Sequence, residues 1–398
     1  MKILMISTLN LSQPNGGTVH FTSLAKEFKR AGHIVHGIIP TTGNQQIDKE
    51  IATKYFDYAT FSGNHLSRLI SLSKTSINSL SQIICILGQK PQDYDWVYMR
   101  SHILSSVVLL ILKLKGFKKI MTEHNGWFAG ELAMMGIPQQ FQPVVKVLQL
   151  TDAKLTTLLR VVVPGIQEKM IENGINKEKI LIAGNATDID FFHPLNRMEV
   201  LQKLNLDPSY FYLGFIGDLE PWKGVEIAIK AMPIICLQHP QVRLLVIGGG
   251  RQLNYLQETY SNIESVKFLG SIPHAVSNEY INCFDLALLP LSGLTEIGFS
   301  PIKLYAYAAS GKPILASDIR GMSELQPVQV VELHKPGNSQ DLAAKAIEMI
   351  SHPEQLSQMG KTAREYAEKN FSWQLVTDKI IQAMENYDLQ EQLGNEYK

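Results

Sequence analysis

The chain has 398 residues, 45% of them hydrophobic, enough for two or three domains with cores of their own. Its 37 lysines and arginines balance 37 aspartates and glutamates, so there is no global basic field of the kind that gathers nucleic acid. Cys85, Cys236 and Cys283 stand far apart among apolar neighbours, which excludes a zinc spacing and reads as buried thiols in a reducing compartment. The N-terminal MKILMISTLN lacks the long apolar core of a signal peptide. The most apolar later run, 103–114, is broken by serines and Lys113 and falls short of the roughly 20 residues that span a bilayer. The expectation is a cytoplasmic protein without a transmembrane helix.

Lys2 to Ser7 reads as a buried strand, followed by a loop to Gly17. A helix follows, with Phe21, Leu24, Ala25, Phe28 and Ala31 at helical spacing before Gly32, and then a strand, Ile34 to Ile39. This order is a βαβ unit, whose loop lies at the carboxyl edge of a parallel sheet, where α/β ligands bind. Pro14-Asn15-Gly16-Gly17 fits neither G-x-G-x-x-G nor G-K-[ST]. Its glycines either let backbone approach a ligand closely or make a tight turn. Ser67 to Leu87 has helical spacing, Asp95 to Arg100 resembles a strand, and Ser101 to Lys115 a buried helix. Lys113, Lys115, Lys118 and Lys119 read as a solvated helix end, with contact to anionic lipid as the alternative. Lys119 to Thr122 is a strand followed at once by Glu123 and His124, so His124 is either the active-site histidine or a satisfied structural one. Leu158 to Val163 and Lys179 to Ala183 continue the series.

Between Gly184 and Pro208 the chain turns polar, which marks a domain boundary. A second α/β series follows: strand Tyr212 to Ile216, loop Gly217 to Gly224, helix Val225 to Leu237, and strand Val242 to Ile247 running into Gly248-Gly249-Gly250. Short strands at Val266 to Leu269 and Leu286 to Pro290 come next. Ser300 is placed to cap a helix running from Pro301 to Ser310, with Gly311 as its left-handed stop before the run Ile314 to Ala316. Such a helix start offers free amides to an anion, and Lys303 in its first turn opposes the helix dipole unless an anion answers both. Lys223, the triple glycine and this helix start converge on one sheet edge. A third-glycine position held by Leu253 excludes a nicotinamide-dinucleotide fingerprint. Phe371-Ser372-Trp373 introduces a C-terminal helix to about Tyr387.

The segments GFIGDLEPWKGVEIAIKA, LLVIGGG, VKFLGSIP, FDLALLP and SPIKLYAYAASGKPILASD occur in the order seen in glycosyltransferase family 4. GGTVHFTSLAKEFKRAGHIVHGIIP, IMTEHNG and GNATDIDFFHP resemble the same family, so the likeness covers nearly the whole chain. It implies a GT-B architecture, α/β, with two Rossmann-like domains whose parallel sheets face across a cleft. The expected domains are an acceptor-side domain over 1–190, a donor domain over 191–370, and a helix over 371–398 that crosses back.

The activity implied is that of a retaining, metal-independent glycosyltransferase. It would move a sugar from a nucleoside-diphosphate sugar to a glycan or lipid-linked acceptor in cell-envelope polysaccharide synthesis. No cofactor beyond the donor is expected, and peripheral contact with the inner face of the plasma membrane is implied. By resemblance, Lys223 contacts the donor diphosphate and His124 lies beside the transferred sugar. Gly16 and Gly17 approach the diphosphate. Gly217, Gly248, Gly298, Phe299, Ser300, Ile302 and Lys303 supply donor-binding backbone and charge, and Ile272 frames the base. Two D-x-D triplets, Asp93-Tyr94-Asp95 and Asp188-Ile189-Asp190, lie in turn regions and are not read as metal ligands.

The chain departs from the family in three places. Asp218 replaces a frequent arginine, and Gly298 and Ala306 stand where two glutamates are usual, the second a ribose holder; Glu296 is a stand-in for the first. These departures motivate the alternative of an impaired sugar-nucleotide-binding or scaffold protein.

Overall fold

The computed structural model describes residues 1–12, 16–63, 74–132, 137–292, 297–298 and 300–396. Pro14, Asn15, Glu296, Phe299 and the expected helix start at Ser67 lie outside the described residues. The chain divides into two compact units, Met1–Asn185 with Trp373–Lys398, and Ala186–Ser372.

In the first unit the elements run β1 (Lys2–Ile6), α1 (Gly16–Arg30), β2 (Ile34–Pro40), α2 (Gln45–Tyr55), β3 (Tyr58–Ser62), α3 (Lys74–Leu87), β4 (Trp96–Arg100), α4 (Ser105–Lys115), β5 (Ile120–His124), α5 (Gln142–Leu155), β6 (Leu158–Val161), α6 (Pro164–Glu172) and β7 (Ile180–Ile182). The strands pair in parallel in the order β3-β2-β1-β4-β5-β6-β7. Strands such as KILMI and WVYMR are nearly continuous apolar runs because helices cover both faces of a parallel sheet. The C-terminal helix packs on this unit, against α1.

The second unit runs α7 (Arg197–Lys203), β8 (Phe211–Ile216), α8 (Val225–Gln238), β9 (Val242–Ile247), α9 (Leu253–Thr259), β10 (Val266–Gly270), α10 (Ser277–Asn282), β11 (Leu286–Leu289), α11 (Ile302–Ala309), β12 (Ile314–Ser317), β13 (Glu332–His334), α12 (Ser339–Ile350) and α13 (Pro353–Asn370). The C-terminal helix of the first unit is α14 (Trp373–Glu396). The second sheet is also parallel, in the order β10-β9-β8-β11-β12-β13.

In both sheets the first strand of the series lies inside, and the chain winds outward from it in both directions. The loops after β1 and β4, and those after β8 and β11, therefore flank the point where strand order reverses, the place where open α/β sheets bind ligands. The two Rossmann-like units with parallel sheets expected from the sequence are observed. Two strands, β3 and β13, and the helices α2, α5, α7, α10, α12 and α13 had no counterpart in the sequence reading. The helix expected to open at Pro301 begins one residue later, and β5 runs two residues further than expected, through His124.

Candidate functional site

The second unit gathers the loops after β8, β9 and β11. At the end of β8, the Gly217 amide donates to the Ile247 carbonyl at 2.9 Å, and the Leu219 amide to the Gly249 carbonyl at 2.7 Å. Gly248 closes β9, its amide donating to the Gly270 carbonyl at 2.8 Å. A tight turn, Pro221–Lys223, then leads through Gly224 into α8. Gly224 has φ of 67°, and a Cβ there would stand 1.7 Å from the Pro290 carbonyl oxygen, so only glycine lets this turn lie against the end of β11. The Ser292 amide donates to the Trp222 carbonyl at 3.1 Å and ties the same two loops. Lys223 is thereby fixed at the switch point between β8 and β11.

Lys303 arrives there from the first turn of α11. Its Nζ lies 3.8 Å above the centre of the Phe215 ring and is buried with no hydrogen-bond partner among the described residues. A Cβ on Gly217 would come within 2.6 Å of that nitrogen, so the glycine makes room for the ammonium. Burial pushes the Lys303 ammonium well below the ordinary lysine range; repulsion from Lys223 adds to this, and Asp218 opposes it. Burial lowers Lys223 as well, against the pull of Asp218 and Glu220. Two amines thus share a partly dry site at a helix start, with Asp218 acting on both and the Lys303 nitrogen without a hydrogen-bond partner among the described residues. Such a pair suits an anion bearing two or more charges.

The helix start differs from expectation in one respect. Pro301 is extended (φ −76°, ψ 122°) and occupies the cap position, and no side chain caps the helix. The Ser300 hydroxyl instead pairs with the Tyr305 hydroxyl at 2.6 Å, so it does not serve as the N-cap. The first amides of α11, Ile302 among them, are left by geometry without intrahelical carbonyls. Gly311 has φ of 67° and stops the helix as expected. Gly298, with φ of 93°, lies beside the Arg320 carbonyl.

Asp218 is exposed, yet it acts electrostatically on both lysines and favours their charged forms, the opposite of an obstructive carboxylate. Ala306 is buried in the core one turn beyond Lys303 and has no side-chain acceptor to offer. Ile272, after β10, is half-buried against the same core. Tyr307, which sequence reasoning missed, donates no charge but receives the Ile216 amide on its hydroxyl at 3.0 Å, pinning the end of β8.

In the first unit, Gly16 and Gly17 are not loop residues but the first turn of α1. His124 is the last residue of β5 rather than the first beyond it, and its side chain is fully buried. Its Nε2 faces the Thr122 hydroxyl at 3.1 Å and its Nδ1 the Gln149 amide nitrogen at 3.4 Å. Burial lowers the ring to about 4, against the field of Glu123, so it is a neutral imidazole at physiological pH.

Next to it sits a buried ionic network that the sequence reading did not find. Arg160 Nη1 donates to Glu123 at 2.9 Å, Arg100 Nη1 donates to the other carboxylate oxygen at 2.8 Å, and His20 Nε2 lies 3.2 Å from Glu123. Tyr98 also hydrogen-bonds Glu123, and Trp373 of α14 stacks on His20 with ring centres 4.8 Å apart. Arg160 further holds the carbonyls of Ala183 and Gly184 at 3.0 and 2.7 Å. Burial works against the Glu123 carboxylate, but His20 and the two guanidiniums, with the Tyr98 hydroxyl, outweigh it and hold the group well below the usual carboxylate range. The network joins α1, four residues past Gly16, to the strand end that carries His124. The two D-x-D triplets serve the local backbone: Asp95 accepts the Lys2 amide at 2.6 Å, and Asp188 the amides of Asp190 and Phe191.

Residues 210–352 match the family model of Glycosyl transferases group 1. A phosphatidyl-myo-inositol mannosyltransferase of Propionibacterium freudenreichii subsp. shermanii is 21% identical over 392 residues, covering 96% of this chain and 94% of that protein. Among solved structures, a sucrose-phosphate synthase from Thermosynechococcus elongatus superposes with a TM-score of 0.77 at 17% identity, covering 99% of both chains. Anabaena Alr3699/HepE in complex with UDP-glucose gives 0.74 at 19% identity, covering 97% of this chain and 100% of that one. Among the described residues no helix is long and apolar enough to cross a membrane.

Proposed function

We propose that this chain, a glycosyltransferase of the GT-B fold with a group 1 domain in its second unit, is a retaining, metal-independent transferase of family 4. It moves a sugar from a nucleoside diphosphate to a glycan or lipid-linked acceptor in cell-envelope polysaccharide synthesis. The observation that carries this reading is the pair Lys223 and Lys303 at the β8/β11 switch point, Lys303 buried without a hydrogen-bond partner among the described residues, beside the start of α11. A departing diphosphate gains negative charge as the glycosidic bond breaks. Fixed cations and amides at that point stabilise that state without a metal ion. In this assignment Lys223 and Lys303 hold the diphosphate, and the Gly298 and Ile302 amides donate to phosphate or sugar oxygens. Gly217 and Gly248 give the backbone close approach, and Ile272 lies against the base. His124, neutral, fully buried and bonded to Thr122 and Gln149, fixes the end of β5 and does not act as an acid. Ala306 removes a ribose-holding carboxylate, so donor affinity rests mainly on the diphosphate. UDP-glucose, bound by the Anabaena protein, is the first donor to test.

A lipid-linked acceptor is supported by a surface of the first unit. Helices α4 and α5 pack side by side and expose Val107, Leu110, Leu114, Phe141, Val144 and Val147, with Leu114 at 79% and Val147 at 62%. Lys113, Lys115, Lys118 and Lys146 lie on or beside these helices, while Glu123 and Asp152 are buried. Apolar side chains among lysines suit an anionic bilayer surface, at about 1 kcal/mol per lysine.

Incubation with nucleoside-diphosphate sugars and acceptor, with a chelator present, should release nucleoside diphosphate and give a product of retained anomeric configuration by NMR. A Leu114→Glu, Val147→Glu double variant should lose about tenfold in rate on acceptor held in anionic vesicles and keep its rate on a soluble acceptor. An inverted product, or turnover that stops with chelator, would contradict the mechanism. Equal rates on vesicles would remove the membrane surface and leave the transfer reading intact.

A further inference from the structure

At the opposite edge of the second sheet from Lys223 and Lys303, where β8, β11 and β12 begin, lies a cavity of about 560 Å³. It is roofed by one face of α13. Phe211, Phe284, Pro313 and Leu356 give it apolar walls, and its volume falls in the range of small-molecule sites. Its charged lining is unbalanced: Arg197, Lys312, Lys361 and Arg364 stand against Asp285 and Glu365.

The structure itself consumes two of these cations. Arg197 Nε and Nη2 each meet Asp285 at 2.7 Å, and Nη2 also donates to the Tyr210 carbonyl. Arg364 donates to the carbonyls of Ile189, Phe192 and Ala309 and pairs with Glu368. The two lysines are different. Lys312 makes one bond, to the Asn282 carbonyl at 3.0 Å, and Lys361 makes no hydrogen bond or ion pair among the described residues. Burial brings the Lys312 ammonium down to about 8 against the pull of Asp285, and Arg197, which meets Asp285 on both oxygens, adds to the lowering. The cavity thus presents two unspent ammonium groups against an apolar wall.

We propose that this cavity is a binding site for a small phosphate ester, whose phosphate is held by Lys312 and Lys361 and whose apolar or planar part rests on Phe211, Phe284 and Leu356. A phosphate dianion supplies the two charges that the lysines lack, and point-like ammonium donors suit it better than they suit a planar carboxylate. The site is separate from the donor loops, since it lies at the other end of the strands. It is also at the other end of α11, about 12 Å along its axis, whose start carries Lys303 and whose stop is followed by Lys312.

Phenyl phosphate titrated calorimetrically into the full chain tests the proposal. One site should be filled, with inorganic phosphate and phenol each weaker by about tenfold or more. Ser357→Trp, which fills the cavity from the exposed side of α13, and Lys361→Glu, on the same exposed surface, should each weaken phenyl phosphate by about tenfold or more at unchanged melting temperature. Lys223→Ala should leave binding as it was. No saturable binding at millimolar concentration, or binding indifferent to Ser357→Trp and Lys361→Glu, would overturn the site. So would binding lost in Lys223→Ala, because the ester would then be occupying the donor loops.

Discussion

Lys303→Met should lower kcat/KM for the nucleotide sugar by about 10²–10³-fold while leaving the protein at least as stable as before. The two effects have one cause. The Lys303 nitrogen is buried above Phe215 without a hydrogen-bond partner among the described residues, and Lys223 repels it. Methionine fills the same space without an unsatisfied polar group, which removes a cost of about 1–3 kcal/mol from the folded state. The same change takes away a charge that a departing diphosphate needs. Lys223→Ala should lower turnover comparably, and the double variant should lose less than the product of the two, because both side chains act on one group. Initial rates of nucleoside diphosphate release, set beside melting temperatures, measure both halves. A Lys303→Met protein that is fully active, or that is inactive only because it unfolds, would return Lys303 to an ordinary structural role.

The second large effect concerns folding. Arg160→Met should destabilise the first unit by about 3–5 kcal/mol, since it strands a buried Glu123 carboxylate and frees the carbonyls of Ala183 and Gly184. Denaturant melts followed by tryptophan fluorescence suit the test, because Trp96, Trp127 and Trp373 lie in that unit and Trp222 in the other. The pH dependence has a definite sign. Glu123 is held below its unfolded value, so its contribution is fully present above about pH 4.3 and is lost as pH falls from there toward the folded-state value. Glu123→Gln should remove that acid-side slope. If Arg160→Met melts like the parent, the network contributes no net stability.

Much of this was legible in the chain. The strands of the second sheet other than β13 read correctly because parallel strands buried on both faces are plain apolar runs, VRLLVI being the clearest. Lys303 was visible as a cation on the wrong end of a helix, and Gly311 as a left-handed position. The buried network was not legible, since Glu123, Arg160 and His20 belong to three elements and meet only when β5, β6 and α1 assemble. Arg160, a charge inside the run LLRVVV, was the one local signal, and it passed as part of a strand. Ser300 looked like a cap because its type and its proline neighbour fit one. The structure gives its hydroxyl to Tyr305, a partner five residues on, and leaves the cap position to Pro301. Glycines 16 and 17 look like a loop by composition, but they begin α1 because nothing after them interrupts the helical spacing. Asp218 could be assigned a sign only once both lysines were seen near it.

In the proposed donor site Lys303, lowered by burial and by repulsion from Lys223, would meet the diphosphate together with Lys223. Proton exchange on binding tests it most directly. Titration of nucleoside diphosphate into the full chain, repeated in buffers of different ionisation enthalpy between about pH 7 and 9, measures the protons taken up. A diphosphate seated between Lys223 and Lys303 raises the depressed lysine toward its ordinary value, so binding should draw a proton from solution, and Lys303→Met should abolish the uptake. Binding without uptake, or with the same uptake in Lys303→Met, would contradict the account.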